Sequence, residues 1–306
     1  MSAIIHNCDC IQGMADHLQA DSVDLVVSSI PFGSLFQYSG KTEDIGNNQD
    51  GVDMRGSQFG LHIRFFVEQL VRVMKPGTNA CIHIQQLITY GIQHGYMGRR
   101  DFRGSVVDLF SAGGLEWKGE VVIPKNPQAI ARRQKLHSLL FVTARRNARD
   151  LAPAVNDYVM IFQKPGEAEP VPCLQDKLNP DGWVSRDEWI RYASGVWGDI
   201  DEMDVLDGYR HGRDEGDEKH VCPLQLEVIR RMVRLYTNPG ELVLDPFSGI
   251  GSCGYVALEQ GRRYVGFELK ESYYELSLKY LARAEAARTA SGPPQLDLFP
   301  ELELVR

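Results

Sequence analysis

Leu242-Val243-Leu244-Asp245-Pro246-Phe247-Ser248-Gly249-Ile250-Gly251-Ser252 constrains this chain more than any other stretch. An apolar run ends in a carboxylate, passes two glycines and enters a helix-forming segment. It predicts a buried strand, a tight turn and a helix N-terminus. A second apolar run, Tyr264-Val265-Gly266-Phe267, ends in Glu268. Strand, glycine turn, helix and a second strand closing on an acid is the layout that holds a nucleoside-bearing ligand. The glycines let backbone approach the ligand closely, and the acid is placed to accept hydrogen bonds from a ribose diol. Gly249-Ile250-Gly251-Ser252-Cys253-Gly254 also has the spacing of a dinucleotide fingerprint. That spacing alone discriminates weakly, so a nicotinamide-dependent oxidoreductase stays open at this point.

A second motif lies near the other end. Asp21-Ser22 is a polar turn, Val23 to Ser28 an apolar-rich strand, and Ser29-Ile30-Pro31-Phe32 an exit loop. Alone, that exit reads as a strand end with a buried aromatic. Together with the first motif it resembles the catalytic half of amino-directed DNA methyltransferases, a resemblance that implies attack by an exocyclic amine of a nucleobase with Ser29, Ile30 and Phe32 in the roles that chemistry needs. An exocyclic amine on a nucleobase is a poor nucleophile, because its lone pair is delocalised into the ring. The Ser29 hydroxyl and the Ile30 carbonyl are two acceptors for its protons, which would drive the nitrogen toward tetrahedral geometry. Phe32 offers a face on which an extruded base can stack. Catalysis would then come mainly from positioning, with no metal and no covalent enzyme intermediate.

The Asp-Pro-Phe-x-Gly-x-Gly loop resembles the S-adenosylmethionine loop of amino-directed DNA methyltransferases. Ser29-Ile30-Pro31-Phe32 resembles their motif of Asp, Asn or Ser followed by Pro-Pro and an aromatic, with isoleucine at the first proline. Ile30 keeps the carbonyl but gives up proline's fixed φ. The catalytic half precedes the cofactor half, which is the permuted order called the β group. The resemblance covers the chain to about Ala287 and is closest to enzymes of phages and prophages. It implies a Rossmann-like methyltransferase fold: a mixed, mostly parallel sheet with helices on both faces, permuted in motif order and carrying an inserted recognition segment. It implies S-adenosylmethionine as cofactor, held by Asp245, Pro246, Phe247, Gly249, Gly251 and Glu268. Asp9 would touch the adenine, and the segment with His220, Cys222 and Pro223 would close over the methionine end. The substrate would be double-stranded DNA, methylated on adenine N6 or cytosine N4, with the choice open. A catalytically inactive DNA-binding relative remains an alternative because of Ile30.

Charge distribution refines this. The net charge of −8 argues against indiscriminate coating of nucleic acid. Yet Val121 to Arg149 holds no acid, and Lys125, Arg132, Arg133, Lys135, Arg145, Arg146 and Arg149 are basic. With Arg99, Arg100 and Arg103 they make a candidate phosphate-tracking face, in which Arg99, Arg100, Arg132, Arg133 and Lys135 are the DNA contacts expected. Asp199 to Glu218 is acid-rich and is expected away from DNA or near the cofactor's positive charge. The six cysteines form no C-x-x-C pair, and His6, Cys8 and Cys10 have the wrong spacing for tetrahedral zinc. No apolar run approaches a membrane span and no signal pattern opens the chain, which reads as cytoplasmic in a bacterium or a phage-infected cell.

Four regions follow: a catalytic half over 1–164, an inserted candidate target-recognition segment over 165–218, a cofactor half over 219–287, and a tail over 288–306. Strands are expected at Ala3 to Asp9, Val23 to Ser29, Asn79 to Ile84, Trp117 to Ile123 and Asp157 to Gln163. Helices are expected at Leu61 to Met74, Asp101 to Ala112 and Glu227 to Tyr236. Trp183, Trp189 and Trp197 are expected mostly in the core. The tail ends a proline-punctuated spacer with Gln295-Leu296-Asp297-Leu298-Phe299. That peptide resembles the motif with which bacterial DNA enzymes dock on the replicative sliding clamp. Whether the chain forms a homodimer is left open.

Overall fold

In a computed structural model of the chain, residues 3–32, 44–45, 56–89, 95–96, 98–133, 136–207 and 223–291 are described. Seven strands form one sheet in the order β1-β9-β8-β2-β3-β7-β6. They are β1 (Ala3–His6), β2 (Val23–Ser29), β3 (Met74–Gln85), β6 (Glu116–Ile123), β7 (Asp157–Gln163), β8 (Leu242–Asp245) and β9 (Arg263–Phe267). Every pairing is parallel except those of β7, which runs against both β3 and β6. β4 (Leu87–Thr89) and β5 (Gly98–Arg100) form a separate hairpin after β3.

Alternation along the strands feeds two cores, as the period of a β-strand requires. On one face Val26, Ile82 and Leu244 pack against α1 (Cys10–His17), α2 (Gln58–Val73) and α3 (Phe102–Ala112) through Met14, Phe66, Val67 and Phe110. On the other, Leu25, Val27 and Val243 meet α7 (Leu226–Tyr236), α8 (Ser252–Glu259) and α9 (Glu271–Ser291) through Val228, Met232, Val256 and Leu281. Between β6 and β7 lie the short helices α4 (Pro127–Arg133) and α5 (Phe141–Arg146), and between β7 and α7 lies α6 (Arg186–Tyr192). This is the doubly wound, mostly parallel sheet expected.

Local chemistry sets the boundaries. Asp9 ends the first segment by accepting from the Ile11 and Gln12 amides, so β1 stops at His6 and α1 begins. Ser57 and Asp101 cap α2 and α3 in the same way. β3 starts at Met74, earlier than the apolar run suggested. Its pairing with β2 jumps from Val23–Met74 to Leu25–Asn79, and the intervening Lys75-Pro76-Gly77 bulges outward, with Gly77 at φ +78°.

The segment after β7 is not a detached module over its described part, 165–207. Arg231 of α7 is 2% exposed and pairs with Asp199 and Glu227, while its guanidinium lies over Trp197 and Tyr192. Arg234 pairs with Glu188 and donates to the Trp183 carbonyl, and Arg262 lies over Trp183. Trp197 is 1% exposed, whereas Trp189 is 46% exposed. The acidic stretch thus contributes Asp199 and Asp204 to arginines of α7. No described helix is long and apolar enough to cross a membrane.

Candidate active site

Asp245 closes β8, and Glu268 follows β9, the next strand, so both carboxylates reach one edge of the sheet. Asp245 is buried; its Oδ1 accepts from the Ser28 hydroxyl at 2.6 Å and from the Phe247 amide at 3.1 Å. Ser28 lies near the end of β2, so this bond ties the serine strand to the Asp245–Gly251 loop. Glu268 accepts from the Gly249 amide at 2.8 Å and from the Lys270 amide at 2.8 Å, which folds the glycine loop over the second acid. Burial pushes Asp245 up to about 7 and Glu268 up to about 7, against the opposing hydrogen bonds. Neither carboxylate has a cationic partner among the described residues.

The three glycines do different work. Gly249 has φ +53°, and a Cβ there would meet no described residue within 4 Å. Gly251 has φ +86° and begins α8. At Gly254 a Cβ would lie 2.6 Å from Leu281 and from Tyr264, so this glycine allows close helix–strand packing. The Ser252 hydroxyl and Gln225 Oε1 are buried with no hydrogen-bond partner among the described residues. A left-handed glycine between two acids that have no cationic partner among the described residues suits a ribose-bearing cation. S-Adenosylmethionine carries a sulfonium and an ammonium and fits that donor set. A dinucleotide fits it poorly, because its pyrophosphate would face Asp245 without compensation.

Other expected contacts fall differently. Phe247 turns its ring to Phe66, 5.2 Å between centroids, and serves the core. Pro246 is buried beside it and Pro223 is half-buried ahead of α7. One oxygen of Asp9 is committed to capping α1. His220 and Cys222 lie outside the described residues. Among the described residues no group of His, Cys, Asp and Glu is arranged to hold a metal, and the His6 ring stacks on His17 at 3.9 Å.

Ser29 stands at the end of β2 with its hydroxyl 2.8 Å from His83 Nδ1. The Ile30 side chain is 1% exposed and fills the core beside α1 and α2, which is what isoleucine does at this position. Pro31 is buried, and the half-buried Phe32 ring sits edge-on to His83 and Phe102 at 5.7 and 6.5 Å. The register Gln85–Asp157–Ile123 brings the end of β6 to the same sheet edge as Ser29. Segment 124–156 and the β4–β5 hairpin therefore emerge beside the site.

The basic residues divide on that face. Arg132, Arg145, Arg146 and Arg149 are exposed. Arg133's side chain and Lys135 lie outside the described residues. Arg99 donates to the Gly98 and Pro153 carbonyls, and Arg100 has Nε and Nη1 buried without a partner among the described residues. Arg103 pairs with Glu120 and lies over Trp117, so part of its charge is already compensated. Lys125 departs from the phosphate-tracking face expected of it: it is buried, 2.7 Å from Asp157 Oδ2. Sequence reasoning missed Ser28, His83, Lys125 and Asp157 as site residues. A polar residue recurring within apolar strands was the available signal for His83 and Asp157.

Comparison with known proteins agrees with this geometry. The chain is 29% identical to the type II methyltransferase M.BglII of Bacillus subtilis, over 99% of this chain and 73% of that protein. It spans about a third of the length of other curated relatives, such as the putative methylase YubD of Escherichia coli, 39% identical over 84 residues and 35% of its length. The fold superposes on TTHA0409 of Thermus thermophilus, a putative DNA modification methylase complexed with S-adenosyl-L-methionine. The TM-score is 0.64 at 19% identity, covering 93% of this chain and 96% of that one. It also superposes on the cytosine-N4-specific PvuII DNA methyltransferase, with TM-score 0.60, 14% identity and 94% of both chains. The N6/N4 DNA methylase family matches residues 23–279, and the chain belongs to that family.

Proposed function

We propose that this chain transfers a methyl group from S-adenosylmethionine to adenine N6 or cytosine N4 of a flipped-out base in double-stranded DNA. One observation carries the reading: the Ser28–Asp245 bond joins a loop suited to a ribose-bearing cation to the serine–aromatic loop suited to a base amine. The cofactor would supply an electrophilic methyl on a positively charged sulfur. Asp245 and Glu268 would hold it, with Glu268 on the ribose diol. The Ser29 hydroxyl and the Ile30 carbonyl would accept the amine protons, and Phe32 would stack on the base. Detection of N6-methyladenine or N4-methylcytosine in DNA from cells expressing the chain tests this and names the base. Neither product above background contradicts it.

The raised carboxylates give a pH signature. An acid whose folded-state value is raised keeps a proton that the unfolded chain has released. Its stabilising contribution is present below about 4 and disappears as pH rises through about 7. A cationic ligand favours the ionised forms, so its affinity runs the other way. S-Adenosylmethionine is expected to bind more tightly as pH rises toward 7, by up to roughly tenfold per carboxylate per pH unit. Calorimetric titration from pH 5.5 to 8 measures it, and Asp245→Asn is expected to flatten the slope. A pH-independent affinity contradicts the assignment.

DNA would lie across the sheet edge carrying segment 124–156. Reversing the charge of Arg132, Arg145 and Arg146 together is expected to weaken binding to all sequences. It should also lower the salt slope by about 0.9 for each phosphate that is no longer neutralised. Fluorescence anisotropy at graded salt checks this; a changed sequence preference with an unchanged slope would place them at base edges. The 165–207 segment is a candidate for target recognition through its exposed surface, including Trp189. Gln295-Leu296-Asp297-Leu298-Phe299 lies outside the described residues, and we assign it to sliding-clamp docking on its sequence alone. Surface plasmon resonance against a bacterial clamp is expected to show binding that Leu298→Ala with Phe299→Ala abolishes. No binding at micromolar clamp contradicts it.

A further inference from the structure

Behind Ser29 lies a buried polar chain that binding of cofactor and base does not require. The Ser29 hydroxyl meets His83 Nδ1 at 2.8 Å. On the far side of the ring, His83 Nε2 lies 3.2 Å from Asp157 Oδ2, an oblique approach at ion-pair distance that falls short of good hydrogen-bond geometry. Asp157 is held from two further directions, by Lys125 Nζ at 2.7 Å and by Gln85 Nε2 at 2.9 Å. His83 is 8% exposed, Asp157 6% and Lys125 7%. Burial pushes the Asp157 carboxyl up, but His83 and Lys125 outweigh it and hold it below the usual carboxylate range. The set spans three adjacent strands, since Ser29 pairs with His83 and Gln85 with Asp157. Three buried ionisable groups, two on strands and Lys125 just past β6, are an expensive way to fill positions that apolar residues would fill as stably.

We infer that His83, oriented by Asp157, is the proton acceptor of the methyl transfer and acts through the Ser29 hydroxyl. The inference rests on the function proposed above. A primary amine that gains a methyl must lose one proton. The nitrogen lone pair forms the N–CH3 bond, and the electron pair of the broken S–CH3 bond stays on sulfur. One N–H bond then breaks and its pair returns to nitrogen. That proton passes to Ser29 Oγ as the hydroxyl's own proton passes to His83 Nδ1. His83 becomes an imidazolium between Ser29 and Asp157 and returns the proton to water after product release. One positive charge leaves sulfur and one appears on the imidazole, so the charge of the buried site is conserved. The step requires the resting tautomer with the proton on Nε2, facing the Asp157 carboxylate, and the lone pair on Nδ1, facing Ser29. Groups facing the ring are Ser29 and Phe32 from the β2 end and Asp157 from β7, with Lys125 beyond it. His83 touches neither substrate, so it is a positioning and proton-accepting residue.

Two measurements test this. In the first, purified parent chain and His83→Asn are compared in single-turnover transfer of labelled methyl to DNA, beside calorimetric titration of S-adenosylmethionine. The asparagine keeps a hydrogen-bonding amide near the Nδ1 position but cannot take the proton. The expected result is a loss of about a hundredfold in the transfer rate, with KM for DNA and cofactor affinity within about threefold of the parent. Transfer at the parent rate by His83→Asn overturns the inference while leaving the proposed function standing. A parent chain that binds cofactor and methylates no DNA overturns the proposed function instead, and the inference with it. The second measurement needs no turnover and no variant that folds: nitrogen-15 correlation spectra of the histidine rings in the parent protein. His83 is expected with its proton on Nε2; a proton on Nδ1 overturns the inference.

Discussion

Ser29→Ala is expected to lower the single-turnover rate of methyl transfer by about a hundredfold to a thousandfold, while S-adenosylmethionine still binds. The magnitude is that of removing a positioned proton-transfer group. The variant deletes an acceptor for the target amine and also leaves His83 Nδ1 facing a methyl group. Ser29 is half-exposed at the end of β2, and its neighbour Ser28, which holds Asp245, is untouched. Cofactor affinity within about threefold of the parent separates this from collapse of the loop. Rapid-quench measurement of labelled DNA decides; transfer at the parent rate removes the hydroxyl from the chemistry.

Glu268→Ala is expected to weaken S-adenosylmethionine binding by about tenfold to a hundredfold. Hydrogen bonds to a charged group are worth about 1.5–3 kcal/mol net, and about 1.4 kcal/mol is a factor of ten in affinity. Part of the effect comes from the ligand-free chain. Glu268 already receives the Gly249 and Lys270 amides at 2.8 Å each, so alanine leaves the glycine loop unlatched before any ligand arrives. A carboxylate offers about four acceptor positions, so those two amides leave room for a diol. Isothermal titration measures the affinity and circular dichroism confirms the fold. An unchanged affinity in a folded variant removes Glu268 from the cofactor site.

What the sequence disclosed and what it hid divide along physical lines. Val23 to Ser29 and Asp157 to Gln163 were legible end to end, because strands buried on both faces read as mostly apolar runs, Leu25 to Val27 and Tyr158 to Phe162 here, between polar residues. The Asp245 loop and Glu268 were legible because glycines at positive φ and strand-terminal acids leave fixed spacings. Three-residue β4 and β5 were not, since so short a hairpin carries no period to count. Nor was the start of β3, where Pro76 sits in a bulge that no local pattern announces. The partnerships Ser28–Asp245 and Ser29–His83–Asp157 were hidden for a deeper reason. Strand order and register create them, bringing together residues 217 and 54 positions apart. Lys125 looked like part of a solvated basic run, and only the Ile123–Asp157 register shows it turned inward.

The most direct test of the account is transfer of labelled methyl from S-adenosylmethionine to duplex DNA by the purified chain. Nucleoside digestion of the product then identifies the modified base, with Ser29→Ala and Glu268→Ala run in parallel. The account predicts label on adenine N6 or cytosine N4, formed about a hundredfold to a thousandfold more slowly by Ser29→Ala even at saturating cofactor and restored to Glu268→Ala as cofactor is raised. Label on neither base, or equal transfer by all three proteins at low cofactor, would contradict it.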